Sequence, residues 1–210
     1  MRSRLLLVLC LLLASTTCAA QFVPDAAMVK LRSLSRPGAE PLVASTINPR
    51  RRSPYPVFAL VFPREDVARI VVLEQDAGEQ LRVAARSKEF GYYLTGNYTA
   101  SMNRFESVRP DRFLFELSFR VGCARGTRTH RFALHDGEWM VVGLDQSMLT
   151  CSGQGIVQDW KSSDDFLTKN VERTTFADDK PQRTVRLKGK RKAFSLALFP
   201  PREPDYQELQ

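Results

Sequence analysis

His130-Arg-Phe-Ala-Leu-His-Asp-Gly-Glu-Trp-Met-Val-Val-Gly-Leu-Asp145 is the stretch whose reading decides the fold. Asp136-Gly137 sits at its centre, and both residues tolerate the positive φ that a two-residue hairpin turn demands. With the turn placed there, Leu134 is expected opposite Trp139, Phe132 opposite Val141, His130 opposite Gly143 and Arg128 opposite Asp145. That register gathers the large apolar side chains on one face, which supports it. Met140, Val142 and Leu144 are apolar on the other face of the second strand, which predicts a central strand buried on both sides. The hairpin departs from Gly126 and returns at Ser147, so Cys123 and Cys151 arrive at the same end of it and are expected to form a disulfide.

Working outward, Phe113, Phe115, Leu117, Phe119 and Val121 alternate with polar residues, broken only by Leu114, and predict a half-buried strand from residue 112. Residues 57–62, 69–73 and 80–86 are β-branched and aromatic runs separated by turn signals such as Asp76-Ala77-Gly78. Downstream, residues 156–160, 166–175 and 184–188 read as strands, the last two joined by a hairpin around residues 177–180. Residues 194–199 are a final apolar run, and residues 92–98, with Gly96 inside and Gly91 before, fit neither period. No segment of helical period and useful length follows residue 54. The expected fold is mainly β, an antiparallel meander or sandwich-like sheet behind an irregular N-terminal leader.

The chain has 210 residues, 43% apolar and 26% charged, enough for one β-rich domain over residues 54–200 without a metal staple. Residues 21–53 carry four prolines and the triplet Arg50-Arg51-Arg52 and read as a flexible basic leader, with a short amphipathic helix over residues 25–34. Residues 201–210 read as a frayed tail.

Arg2 and Arg4, the apolar run of residues 5–14 and the small residues before Gln21 have the three-part layout of a secretory signal peptide, cleaved after residue 20. A membrane anchor needs about 20 apolar residues, so no transmembrane segment is expected after its removal. Ser15-Thr16-Thr17 before Cys18 is a poor match to lipoprotein processing. Cleavage removes Arg2 and Arg4 from 31 cationic residues against 23 acidic ones, leaving +6. Of the four cysteines only Cys123 and Cys151 then remain, and an exported setting, periplasmic or extracellular, favours their oxidation.

No residue is assigned a catalytic, metal-binding or cofactor-binding role. His130 and His135 differ in parity and lie on opposite faces of their strand, so they do not share a zinc ion. A Gly-x-Ser-x-Gly elbow and the phosphate-binding glycine loops are missing, and the adjacent acids Asp164-Asp165 and Asp178-Asp179 mark turns or strand ends. The positive signal is charge: Arg50, Arg51 and Arg52, with Lys188, Lys190, Arg191 and Lys192, are candidate contacts for an anionic envelope polymer. The competing reading makes them a solvated edge that discourages sheet-to-sheet association. Export argues against nucleic acid as partner.

Residues 81–87, the hairpin of residues 130–145 and Asp165-Phe-Leu-Thr-Lys-Asn-Val-Glu-Arg173 together resemble a group of uncharacterised exported bacterial β-rich proteins. These carry a "Phe-x-Tyr-x-x-Gly-x-Trp-x-Leu-Ile-Gly" hairpin and a later "Asn-Phe-Leu-Thr-Gly" segment. Some are similar upstream to FG-GAP/VCBS-like repeats with an Asp-rich calcium loop, whereas Pro63-Arg-Glu-Asp-Val-Ala-Arg69 here lacks those closely spaced oxygens. The resemblance implies a β-rich exported domain and no catalysis. Three functions fit: a non-catalytic envelope or periplasmic domain that binds a protein or polymer, a periplasmic inhibitor or immunity-type protein, and an enzyme whose site is not visible in sequence.

Overall fold

The computed structural model describes residues 23–46, 55–91, 98–152 and 155–200. The expected signal peptide, Arg50–Arg52 and the expected frayed tail lie outside the described residues. The chain is mainly β, built as two antiparallel sheets and one short helix.

The smaller sheet grows from β3 (Val57–Arg64) and β4 (Val67–Gln75), a hairpin flanked by β1 (Leu42–Val43) on one side and β5 (Leu81–Arg86) and β6 (Phe90–Gly91) on the other. Its central strands are apolar on both faces because both are covered. Phe58, Leu60, Ile70 and Val72 face the larger sheet, while Val57, Ala59, Val61, Val71 and Leu73 face helix α1 (Asp25–Ser33). The helix follows Pro24, whose carbonyl accepts from the Ala27 and Met28 amides, and places Asp25 in its first turn and Lys30 and Arg32 in its last, complementing the helix dipole. Ala27 and Leu31, one turn apart, are its fully buried residues. Within the expected leader, residues 23–46 thus form a helix and two short strands that pack on the domain.

The larger sheet is a meander. β7 (Tyr98–Arg109), β8 (Arg112–Val121), β9 (Ala124–His135), β10 (Glu138–Ser152), β11 (Gly155–Asp165), β12 (Asn170–Ala177) and β13 (Lys180–Lys188) lie in chain order, with β2 (Ser45–Thr46) parallel to β7 and β14 (Phe194–Ser195) beside β10. The sandwich core is a run of rings: Phe58 stacks on Phe113 at 4.5 Å, Phe113 on Phe132 at 4.4 Å, and Trp139 meets Phe58 edge-on at 5.0 Å. At one edge the chain crosses between sheets at Ala44, whose amide donates to the Phe58 carbonyl. At another, Phe199 inserts against Phe90, Phe115 and His130 while its carbonyl accepts from Lys88. No helix among the described residues is long and apolar enough to cross a membrane.

Asp136 and Gly137 have φ of 50° and 80°, and Leu134 faces Trp139 and Phe132 faces Val141 as the turn dictates. Beyond Val141 the register differs from expectation. Val142 is an extra residue, so His130 pairs with Leu144, Arg131 with Gly143 and Thr129 with Asp145. The bulge turns Leu144 onto the core face beside Trp139 and Val141, where it is fully buried. Burying such a side chain is worth about 1.5 to 3 kcal/mol, enough to offset an interrupted ladder. β10 is central as expected.

Two further differences have local causes. The strand expected from residue 166 begins at Asn170, because the Asp165 carboxylate accepts the amides of Leu167 and Thr168 and holds the chain in a turn that Lys169 completes at φ 54°. Phe166 drops into the core from that turn. β7 departs from expectation, since Phe105 is the large apolar residue it contributes to the core and around it Arg104, Glu106, Ser107 and Arg109 are polar.

Candidate functional site

The face of strands β8 to β13 turned away from the smaller sheet is built from residues of one parity on each strand. Register brings these into two polar rows that cross the sheet. Glu116, Thr129, Asp145, Ser163, Glu172 and Arg186 lie side by side in one row, and Ser118, Thr127, Ser147, Lys161, Thr174 and Thr184 in the next. In the first row Thr129, Asp145 and Ser163 are short between the longer Glu116, Glu172 and Arg186, and in the second every member but Lys161 is short, so the face is hollow. A groove of about 400 Å³ runs along it, lined by Thr127, Thr129, Asp145, Ser147, Lys161, Ser163, Glu172 and Thr174. A space of about 500 Å³ adjoins it past Ser163 and Glu172, bounded by Arg131, Asp165, Thr168, Asn170 and Arg186. Among the described residues no element packs on this face.

The groove is organised by hydrogen bonds between neighbouring strands. Ser163 donates to Asp145 at 2.6 Å and Thr129 to Glu116 at 2.6 Å, while Thr127 and Ser147 share a proton at 2.8 Å, as do Thr174 and Thr184 at 3.0 Å. Each central carboxylate has an arginine: Arg186 reaches Glu172 at 3.0 Å and Arg131 lies 3.6 Å from Asp145. Arg131 lies flat across Gly143, where any Cβ would stand 2.4 Å from its guanidinium. From there it also donates to the Asp164 carbonyl at 2.7 Å. Lys161 sits over the Phe176 ring at 5.5 Å. Burial opposes ionisation of Asp165, but hydrogen bonds from Thr168 and Leu167 and the charge of Arg131 outweigh it and hold that carboxyl below the usual carboxylate range. Paired acids, hydroxyls and a lysine on a rigid sheet can exchange hydrogen bonds with a ligand in either direction.

The opposite face holds His130 and Asp164, two titratable groups that burial perturbs. His130 is buried with its ring 4.8 Å from Phe199. Burial, then the charge of Arg128, then that of Arg191, push its pKa down to about 3, against a smaller upward pull from the Phe115 backbone. Asp164 is also buried, which raises its pKa, although Arg191 and Arg131 oppose this. An unfolded histidine takes up its proton near pH 6.5 and the native one only near 3. Stability from His130 is therefore complete above pH 6.5 and is lost as pH falls toward 3, at up to about 1.4 kcal/mol per pH unit. Asp164, protonating early in the native state, opposes part of this. Urea midpoints between pH 7 and 4 should fall steeply for the native sequence and flatten in His130→Phe; an unchanged slope would refute the assignment.

Among the described residues, Lys188, Lys190, Arg191 and Lys192 do not all face solvent. Lys188 ends β13, the edge of its sheet, and donates to Asn170 at 3.0 Å. Lys190 and Lys192 are exposed in the link to β14. Arg191 is half-buried, close enough to Asp164 and His130 for its charge to act on both. The disulfide Cys123–Cys151 joins the β8–β9 turn to the end of β10 with Cα atoms 6.1 Å apart. Sequence reasoning missed the two polar rows. Their signal is the alternation of Thr127, Thr129 and Arg131, of Asp145 and Ser147, of Lys161, Ser163 and Asp165, and of Glu172 and Thr174, which the extra residue at Val142 takes out of step.

No protein family, curated protein or solved structure matches this chain.

Proposed function

We propose that this is an exported, non-catalytic β-domain of the bacterial envelope or periplasm that binds a polymer along the outer face of its larger sheet. The observation that carries this reading is the uncovered hollow of preorganised polar side chains around Ser163. An outer face that only meets water has no need of short residues at its centre and bonded partners on neighbouring strands. The three-part N-terminus and the single Cys123–Cys151 bridge support export. Asp145 and Glu172, each matched with an arginine, are arranged as acceptors of hydrogen bonds, which supports binding over acid catalysis.

The test is retention of the mature protein on a native envelope fraction, beside Ser163→Trp and Thr127→Trp, which fill the groove from two different strands. Both variants should lose at least tenfold in retention while keeping the native unfolding midpoint. Equal retention of all three proteins would end this reading. Reversing Lys188, Lys190 and Lys192 to Glu separates it from the anionic-polymer alternative. Here retention is expected to persist, whereas a loss that tracks ionic strength would move the contact to the end of β13.

A further inference from the structure

We infer that the groove takes a neutral, extended pyranose glycan lying across the strands, one sugar ring to each strand. This deepens the proposed function and rests on it. Neighbouring strands are about 4.8 Å apart, close to the advance of one ring along an extended β-1,4-linked chain. The two rows are two residues apart along each strand, about 6.8 Å, which is the breadth of such a ring with its equatorial hydroxyls. A chain running from Thr129 and Thr127 past Ser163 toward Glu172 and Thr174 would thus meet a polar side chain at both edges of every ring.

The chemistry of the rows matches hydroxyls better than charges. Asp145 and Glu172 present carboxylate oxygens able to accept from vicinal hydroxyls, and their pairing with Arg131 and Arg186 leaves no net positive field to draw a polyanion. Ser163 and Thr129, whose protons go to Asp145 and Glu116, offer lone pairs, while the bonded pair Thr127 and Ser147 keeps one hydroxyl proton to donate. Because the hydroxyls of a sugar replace those of water like for like, displacing the groove's hydration costs little. Single-ring contacts are weak, and a polymer gains by making several at once.

The mature full-length protein is applied to insoluble chitin and to cellulose, both neutral and β-1,4-linked, and to resin-bound polygalacturonate as the acidic counterpart, at low and high salt. Retention at least tenfold greater on one of the neutral polymers, unaffected by salt and competed by its soluble oligosaccharide, is expected. Ser163→Trp and Thr127→Trp should abolish it, and Glu172→Gln should weaken it several-fold. Competition by the oligosaccharide uses the unaltered protein, so it stands even where a variant folds poorly. Retention on polygalacturonate that high salt releases would overturn the inference. So would failure on both neutral polymers while the tryptophan variants still lose the envelope fraction, a result that keeps the groove as the site and gives it a protein or another polymer as ligand. Envelope retention that the tryptophans leave intact removes the proposed function itself.

Discussion

Trp139→Ala is expected to destabilise the protein by about 3 to 5 kcal/mol, the usual cost of truncating a large buried aromatic. Trp139 is 3% exposed and ties the two sheets together. Its ring meets Phe58 of the smaller sheet edge-on and tilts against Phe113 of the larger at 5.8 Å. Its indole N–H donates to the Glu74 carboxylate across the sandwich at 3.0 Å. Alanine removes the ring contacts and that donor together, leaving Glu74 with Arg82 at 3.3 Å. Trp139→Phe retains most of the ring and should cost nearer 1 kcal/mol, the net worth of one hydrogen bond. Urea unfolding of the three proteins reads both differences. An unchanged midpoint in Trp139→Ala would mean that the ring does not bridge the sheets.

Removing the Cys123–Cys151 bridge should cost about 3.5 kcal/mol, from the entropy that an open loop of this length returns to the unfolded chain. The two residues are 28 apart in sequence, and the loop they close holds the whole β9–β10 hairpin. Both cysteines are exposed, so a mild reductant should reach the bond without prior unfolding. The double variant Cys123→Ser, Cys151→Ser should then match the reduced protein in denaturation midpoint, with little change to the groove on the other part of the sheet. Non-reducing peptide mapping of the exported protein should recover one linked pair. Two free thiols there would refute the bridge.

The groove was the least legible part of the chain, and His130 shows why. Its strand and its burial on an apolar face follow from local alternation. Its partner across the ladder does not, because the insertion of Val142 shifts every pair between there and Leu149 by one. A face assigned by counting from Asp136-Gly137 alone places Asp145 opposite Arg128 rather than Thr129. The row from Thr129 through Ser163 to Glu172 then falls apart on paper. The basic residues are a related case: Lys188, Lys190, Arg191 and Lys192 are neighbours in sequence, but where β13 ends the chain carries Arg191 inward while the lysines meet solvent. Charge in sequence is a count, and a patch is a matter of direction.

Read without coordinates, the residues themselves determine the β class, most of the strands, the hairpin turns at Asp136-Gly137 and around residues 177–180, and the meeting of Cys123 with Cys151. These depend on interactions within a few residues or across one turn, where a two-residue period and the tolerance of Asp and Gly for positive φ leave few alternatives. Only the tertiary structure decides that β7 is a strand, that α1 docks on Ala59 and Val61, that Val142 bulges, and that six strands bring their hydroxyls into line. Each of those is settled by surfaces far apart in sequence competing for burial. β7 is mostly polar in its described part and becomes a strand because β8 has an edge to pair. Leu144 is drawn inward because Trp139 and Val141 already line the core. The groove exists because the smaller sheet covers one face of the larger and no described element covers the other.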